Sequence, residues 1–431
     1  MFNRRLPYQC HQEGGITTAG SRIYSWSKGV FHSILPCNTR SDKRFVFGFH
    51  QLSQGPKMAT QIQTVTSISA STDPFENLPF RELPPFPDDI PTAPLHRLSL
   101  SALRKTVAES EALFAASKNL GFFYLDLRDD DLGNALIQGS EQVFDIGPNI
   151  FDLGREKLAE YDHGAKGSIM GYKGYGSQVV DEKGNLDRNE FFNIPKDDIL
   201  GISQEPLPQP DIIHHRADLL KSFMTHAHEL VTLLLTHLEK HLQLPPQALT
   251  SLHRLTSPSG DHIRLIRAPP QPPSDLRTSL GKHTDFGSIT ILFNRLGGLQ
   301  ILPPPAILPP GQPPEWMYVK PIRDHCIINF GDAMTKFTRG VVRSNIHRVV
   351  APPGQQGRET RWSVVYFGRP EDDVALRGLV GEKENGEEEE GMNAKEWIKL
   401  QGLRLRNANV AGKEMGLEER RKLWEESGRG T

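Results

Sequence analysis

The chain has 431 residues, with 50 basic and 52 acidic side chains and a formal net charge of -2, so no overall field recommends a nucleic acid or an anionic membrane as partner. No run of about 18 or more apolar residues occurs, which argues against a spanning helix, and the length suits two or three domains or one long β architecture. Three cysteines, Cys10, Cys37 and Cys326, form no C-x-x-C pair and no even framework, which fits a reducing compartment and an expected cytoplasmic location.

Residues 1–57 hold eight Lys or Arg against two acidic residues and no sustained period. Three readings stay open there: a disordered arm, a mitochondrial-type presequence, or an extension upstream of a true start at Met58. From Pro74 to Pro94 the proline-rich chain reads as extended coil on a surface. A helix follows from a cap at Ser99 or Ser101, with Leu103, Val107 and Phe114 as its apolar stripe and Gly121 as its stop. The run GFFYLDL then predicts a buried strand.

Helical patterns recur at about 132–145 and 153–161, after which GSIMGYKGYGSQ breaks any period and reads as a loop or irregular strands over a pocket. Glu190 to Ile194 returns the chain to a sheet. A long amphipathic helix is predicted over about 212–242, burying Leu219, Leu220, Phe223, Leu230, Leu233, Leu234 and Leu238. Its tail contains His237 and His241, four apart, but a metalloprotease pair needs Glu directly after the first His. Glu239 stands two on, so a solvated helix face is the simpler reading. From Arg264 onward short apolar runs broken by Gly and Pro predict an all-β sandwich or barrel. Cys326, in HCIINF, reads as a small core residue. The acidic run EKENGEEEEG predicts a solvated loop, and residues 393–425 return to helix.

The chemistry concentrates in GKHTDFGSITILF, Gly281 to Phe293. If this is strand, His283 and Asp285 share a face and bear on one point. His347, in RSNIHRVV, supplies a third ligand. Two histidines and one carboxylate form the facial triad that leaves adjacent metal positions open, as in non-haem Fe(II) oxygenases. Arg361 and Ser363, two apart ahead of VVYF, offer a guanidinium fork and a hydroxyl that suit a distal carboxylate.

With HTDFGSITIL, GGLQIL, INFGDAM, RSNIHRVV and RWS in order over about residues 74–370, the chain resembles the Fe(II)- and 2-oxoglutarate-dependent dioxygenase superfamily. The likeness is to the isopenicillin N synthase-like branch and its fungal and plant small-molecule oxygenases. The resemblance implies a mostly β fold with flanking helices, a double-stranded β-helix (jelly-roll) core behind a helical N-terminal region. It implies His283, Asp285 and His347 as iron ligands and Arg361 with Ser363 on the 5-carboxylate of 2-oxoglutarate. Expected boundaries are a basic arm over 1–73, an N-terminal dioxygenase region over 74–200, and a connecting helix over 201–254. The dioxygenase β core takes 255–370, and an acidic loop with C-terminal helices takes 371–431.

The implied reaction decarboxylates 2-oxoglutarate to succinate and oxidises a small organic molecule, by hydroxylation, desaturation or ring closure, with secondary metabolism as an expected setting. Dioxygen and one small substrate are the expected partners of a monomer, without nucleic acid or membrane. Rival readings are a same-branch oxidase that does not use 2-oxoglutarate, a non-catalytic binding protein on the same barrel, and a zinc hydrolase. Three departures stand out: Arg267-Ala268-Pro269 lacks the usual Tyr before Pro, Arg339 replaces an Asn before Gly340, and the His347–Arg361 loop is too long by a few residues.

Overall fold

A computed structural model describes Phe80 and residues 82–181, 183–381 and 391–403. All of them fall within the compact unit Ser69–Thr431. The expectations for residues 1–57, most of the acidic run, and the helix beyond 403 lie outside the described residues.

Twelve strands are described: β1 (His96–Ser99), β2 (Phe122–Asp126), β3 (Gly171–Lys173), β4 (Glu190–Pro195), β5 (His262–Ala268), β6 (Leu280–His283), β7 (Ile289–Asn294), β8 (Leu299–Ile301), β9 (Met317–Tyr318), β10 (His325–Phe330), β11 (His347–Val349) and β12 (Arg361–Gly368). They form an eight-stranded sheet in the order β1-β2-β10-β7-β12-β5-β4-β3 and a four-stranded sheet in the order β6-β11-β8-β9. Only the β1–β2 pair is parallel among these neighbours. The protein is mostly β with helices packed on it, in agreement with the texture of the sequence after Arg264.

Period-two alternation explains why the large sheet is covered on both faces. On β12, Val364 and Tyr366 join Ile263 and Leu265 of β5 in a core shared with the helices Asp131–Phe151 and Ala217–His241. Between the sheets, Phe122, Tyr124 and Ile327 of the large sheet meet Leu299 and Ile301 of the small one, with Val319 beside them. In the long helix Leu220, Phe223, Leu230, Leu234 and Leu238 are buried. Each is worth roughly 1.5–3 kcal/mol when removed from water. Cys326 is fully buried, and burial pushes its thiol up, as a core residue requires.

The helix borders differ from the periodicity. The first helix is two pieces, Leu100–Leu103 capped by Ser99 and Val107–Asn119 capped by Thr106. Val107 opens the second piece and is 60% exposed, so Leu113 and Ala116 carry the buried stripe instead. Asp131–Phe151 runs on through Pro148 because Ile146, Ile150 and Phe151 are buried around it, which outweighs one missing backbone hydrogen bond. The helix predicted over 212–242 is interrupted at Arg216, between Asp211–His215 and Ala217–His241.

The His237–His241 tail is not a solvated face. Ser110 Oγ lies 2.8 Å from both His237 Nδ1 and His241 Nε2, and His241 stacks on Phe114 at 5.1 Å. Glu239 is buried and accepts the backbone N–H groups of Gln247, Leu249 and Thr250. Its carboxylate thereby ties the turn after the helix, a task invisible to a pattern search. The proline-rich entry is likewise less detached than a surface coil: Ala93 N–H donates to the Tyr318 carbonyl and Phe86 is buried.

Candidate metal centre

His283 ends β6 and His347 begins β11, and the two are paired residues across that ladder. Paired residues carry their side chains to the same face, so the imidazoles come together with ring centroids 4.2 Å apart. Asp285 lies beyond the end of β6, which corrects the single-strand account of the H-x-D pair. The turn after β10 holds it in place instead: Asp332 N–H donates to the Asp285 carbonyl at 2.8 Å. Asp285 Oδ1 is 3.9 Å from Nε2 of each histidine. One ligand atom from each of the three residues lies within 4.8 Å of the others, the one such His/Cys/Asp/Glu group among the described residues.

The unused atoms of each group are tied back. His283 Nδ1 lies 2.8 Å from the Gly281 carbonyl and His347 Nδ1 lies 3.1 Å from the Asn345 carbonyl. A carbonyl only accepts, so each Nδ1 bears the proton and each Nε2 presents its lone pair to the shared point. Asp285 Oδ2 accepts from Thr290 Oγ1 and from Asn329 Nδ2, both at 2.7 Å, which leaves Oδ1 for the centre. Burial would raise this carboxyl, but His347, His283 and the two donors hold it below the ordinary range. A deprotonated oxygen and two neutral imidazole nitrogens fit a divalent first-row ion.

Thr290 and Asn329 were not singled out from sequence, although Asn329 sits inside INFGDAM. Their partners identify them only once β7 and β10 are paired. Asn329→Ala is expected to weaken divalent-ion binding about 10- to 100-fold, the usual cost of losing a group that orients a ligand. Equilibrium dialysis against Mn(II) measures it.

Arg361 and Ser363 share the face of β12 that looks toward the small sheet. Arg361 Nε donates to the Gly297 carbonyl at 2.8 Å and Nη1 donates to Ser363 Oγ at 2.6 Å. The side chain is 2% exposed, and no carboxylate among the described residues pairs with it. Burial lowers its pKa to about 10, so the guanidinium stays charged at neutral pH and lacks a counter-ion, as a site for an incoming carboxylate should. Gly298 is required beside it: φ is +109°, and a Cβ there would stand 2.6 Å from the Val350 carbonyl and 3.4 Å from Arg361 Nε.

All three departures of the sequence acquire a place. Ala268 is the register partner of Arg361, so the missing aromatic is missing directly beside the clamp. The long loop after β11 forms a turn over Gly354–Arg358 that buries Gln356. Its Oε1 accepts Gly297 N–H and its Nε2 donates to the Pro84 carbonyl, both at 2.9 Å. Gln356 thus anchors Gly297, the residue whose carbonyl orients Arg361. Arg339 adopts φ +48° after the helix Asp332–Phe337, the left-handed region that Asn tolerates better.

A family model described as the 2OG-Fe(II) oxygenase superfamily matches residues 259–370. The chain is 31% identical over 311 residues to a 2-oxoglutarate-dependent dioxygenase of Aspergillus fumigatus, across 68% of this chain and 80% of that relative. It is 29% identical to one from a Dothideomycetidae species, across 72% of this chain and 88% of the relative. Among solved structures, a full-length Neurospora crassa protein in complex with alpha-KG and 5-formyluracil superposes with a TM-score of 0.58 at 21% identity, covering 73% of this chain and 96% of that one. JOX2 in complex with 2OG, Fe and JA superposes with a TM-score of 0.53 at 20% identity, covering 78% and 91%.

Proposed function

Because this chain belongs to the 2OG-Fe(II) oxygenase superfamily, we propose that His283, Asp285 and His347 are its iron ligands and that Arg361 with Ser363 grips the distal carboxylate of 2-oxoglutarate. The protein is a 2-oxoglutarate-dependent dioxygenase that uses Fe(II) and 2-oxoglutarate, and it oxidises a small molecule with dioxygen. The observation that carries the residue assignment is the orientation of the triad, with both Nδ1 atoms and Asp285 Oδ2 already bonded elsewhere.

Iron bound there supplies the oxidising power, coupled to loss of carbon dioxide from the keto acid. The chain's own part is positioning. Thr290 and Asn329 aim one carboxylate oxygen, Gly281 and Asn345 fix the tautomers, and Gly297 and Ser363 hold the guanidinium flat for a two-point contact. Phe122, 5.3 Å from the His347 ring, walls the centre with apolar surface and limits water around it. We read β5–β12 as a double-stranded β-helix over 255–370, with 74–200 as the N-terminal region that adds β1–β4 to the large sheet, 201–254 as the connecting helix, and 371–431 as the appended segment. We also read the protein as a cytoplasmic monomer of secondary metabolism without nucleic-acid or membrane partners. No described helix is long and apolar enough to cross a membrane.

The test is succinate formation by iron-loaded protein given 2-oxoglutarate and a panel of small organic molecules. The expected result is succinate in excess of that made by Asp285→Ala. Equal amounts from the two proteins would remove the triad from the reaction. Gln356→Ala should loosen the Gly297 peptide and weaken 2-oxoglutarate binding severalfold with iron content unchanged. Titration of the co-substrate without oxygen checks this.

A further inference from the structure

Arg264 is a second inward-facing cation that the function described so far leaves unused. It sits on β5 opposite Val365 of β12, with its guanidinium 4.8 Å from the ring centre of Phe367 and 4.0 Å from that of Phe191. Phe367 is the register partner of Thr290, whose hydroxyl bonds Asp285, and the Asp285 charge acts on the Arg264 guanidinium. Arg264 is therefore a neighbour of the metal centre.

Its orientation is fixed before any ligand arrives. The Asn193 amide donates to the Ile169 carbonyl, so its Oδ1 faces Arg264 and accepts from Nε at 2.7 Å. Phe191 covers one side of the guanidinium. What is missing is a counter-ion: among the described residues no carboxylate pairs with Arg264. The contrast lies on the same strand, where Arg267, on the opposite face, donates to Glu190 at 3.0 and 2.8 Å. Lys173, also against Phe191, is paired with Asp187. Burial, with the repulsion of Arg369, lowers the Arg264 pKa to about 9 while leaving it charged at neutral pH. A partly desolvated guanidinium without an anion is costly, and an incoming carboxylate relieves that cost through a two-point contact. The residue is half-buried, so a ligand can reach it.

We propose that Arg264 receives a carboxylate carried by the organic substrate, which makes it a specificity-determining residue that selects acids over their neutral analogues. This rests on the reading of the metal centre given above. The co-substrate is not the anion in question, because the clamp lies elsewhere. Arg361 is four residues along β12 from Val365, the partner of Arg264. Four strand residues span roughly 13 Å, more than a five-carbon diacid covers.

The experiment uses the full chain loaded with Mn(II) and saturating 2-oxoglutarate, and reads the paramagnetic relaxation of ring protons in phenylacetate and in phenylacetamide. The phenyl ring suits the aromatic walls, and the pair differs in charge. Wild type should bind phenylacetate near the metal at least about tenfold more tightly than the amide, the worth of one charged hydrogen bond. Arg264→Gln should erase that preference while amide, Mn(II) and 2-oxoglutarate affinities hold, and Arg264→Lys should restore part of it. Equal binding of the two probes, a preference that survives in Arg264→Gln, or no relaxation of either probe overturns the proposal. So does a matching fall in 2-oxoglutarate affinity, which would make Arg264 part of the co-substrate site. Wild type that takes up neither Mn(II) nor 2-oxoglutarate would bring down the reading of the centre itself, and this inference with it.

Discussion

Asp285→Ala is expected to lose iron and turnover together. Among the described residues its Oδ1 is the only anionic donor offered to the shared point, 3.9 Å from each imidazole nitrogen. Two neutral histidines that remain are a weak chelate, and the ion's charge is then met by no carboxylate of the triad. The loss is compounded by the orphaned donors of Thr290 and Asn329, which were bonded to Oδ2 and would be left buried without an acceptor at about 1–3 kcal/mol each. Metal analysis after desalting should fall from one equivalent to near zero, with succinate formation at background. Thr284→Ala is the control: Thr284 lies between the two ligands but bonds Asp332, so iron should stay. A full equivalent of iron and unchanged turnover in Asp285→Ala would take that residue out of the ligand set. His283→Ala and His347→Ala should behave in the same way, since each removes one of only three donors.

Arg361→Lys is expected to keep iron and lose the co-substrate. Lysine retains the positive charge, but it cannot donate to the Gly297 carbonyl and Ser363 Oγ while presenting a planar fork, as the arginine does. Hydrogen bonds to charged groups are worth about 1.5–3 kcal/mol, so the affinity for 2-oxoglutarate should fall between roughly tenfold and more than a hundredfold. Ser363→Ala should cost less, because its hydroxyl is neutral and part of its task is to orient Arg361. Ala268 beside the clamp supplies no aromatic hydroxyl to compensate, which keeps the effect large. Titration against iron-loaded variants without oxygen measures it directly, and an unchanged affinity would mean that the keto acid is held elsewhere.

Sequence by itself determined the residue types and their order. H-x-D, a distal His and R-x-S are short, and each lies beside a β-branched run, so the candidate ligands and the candidate clamp could be proposed from local motifs taken in their order along the chain. The strands after Arg264 were legible for the same reason, since alternation and Gly/Pro punctuation are local signals. Tertiary structure decided how those residues act. That His283 and His347 share a face follows from the β6–β11 register, not from spacing, and Asp285 reaches them from a turn rather than along a strand. Asn329 bonds Asp285 from 44 residues away, and Gln356 reaches Gly297 across 59; no periodicity encodes such pairs. The same holds for Glu239, whose charged surroundings in sequence suggested solvent but whose carboxylate is buried against three backbone donors. The common physical reason is that hydrophobic patterning specifies which face of an element turns inward. Only the pairing of distant strands specifies which polar groups meet there, and so which atoms of His283, Asp285 and His347 are left free for a metal.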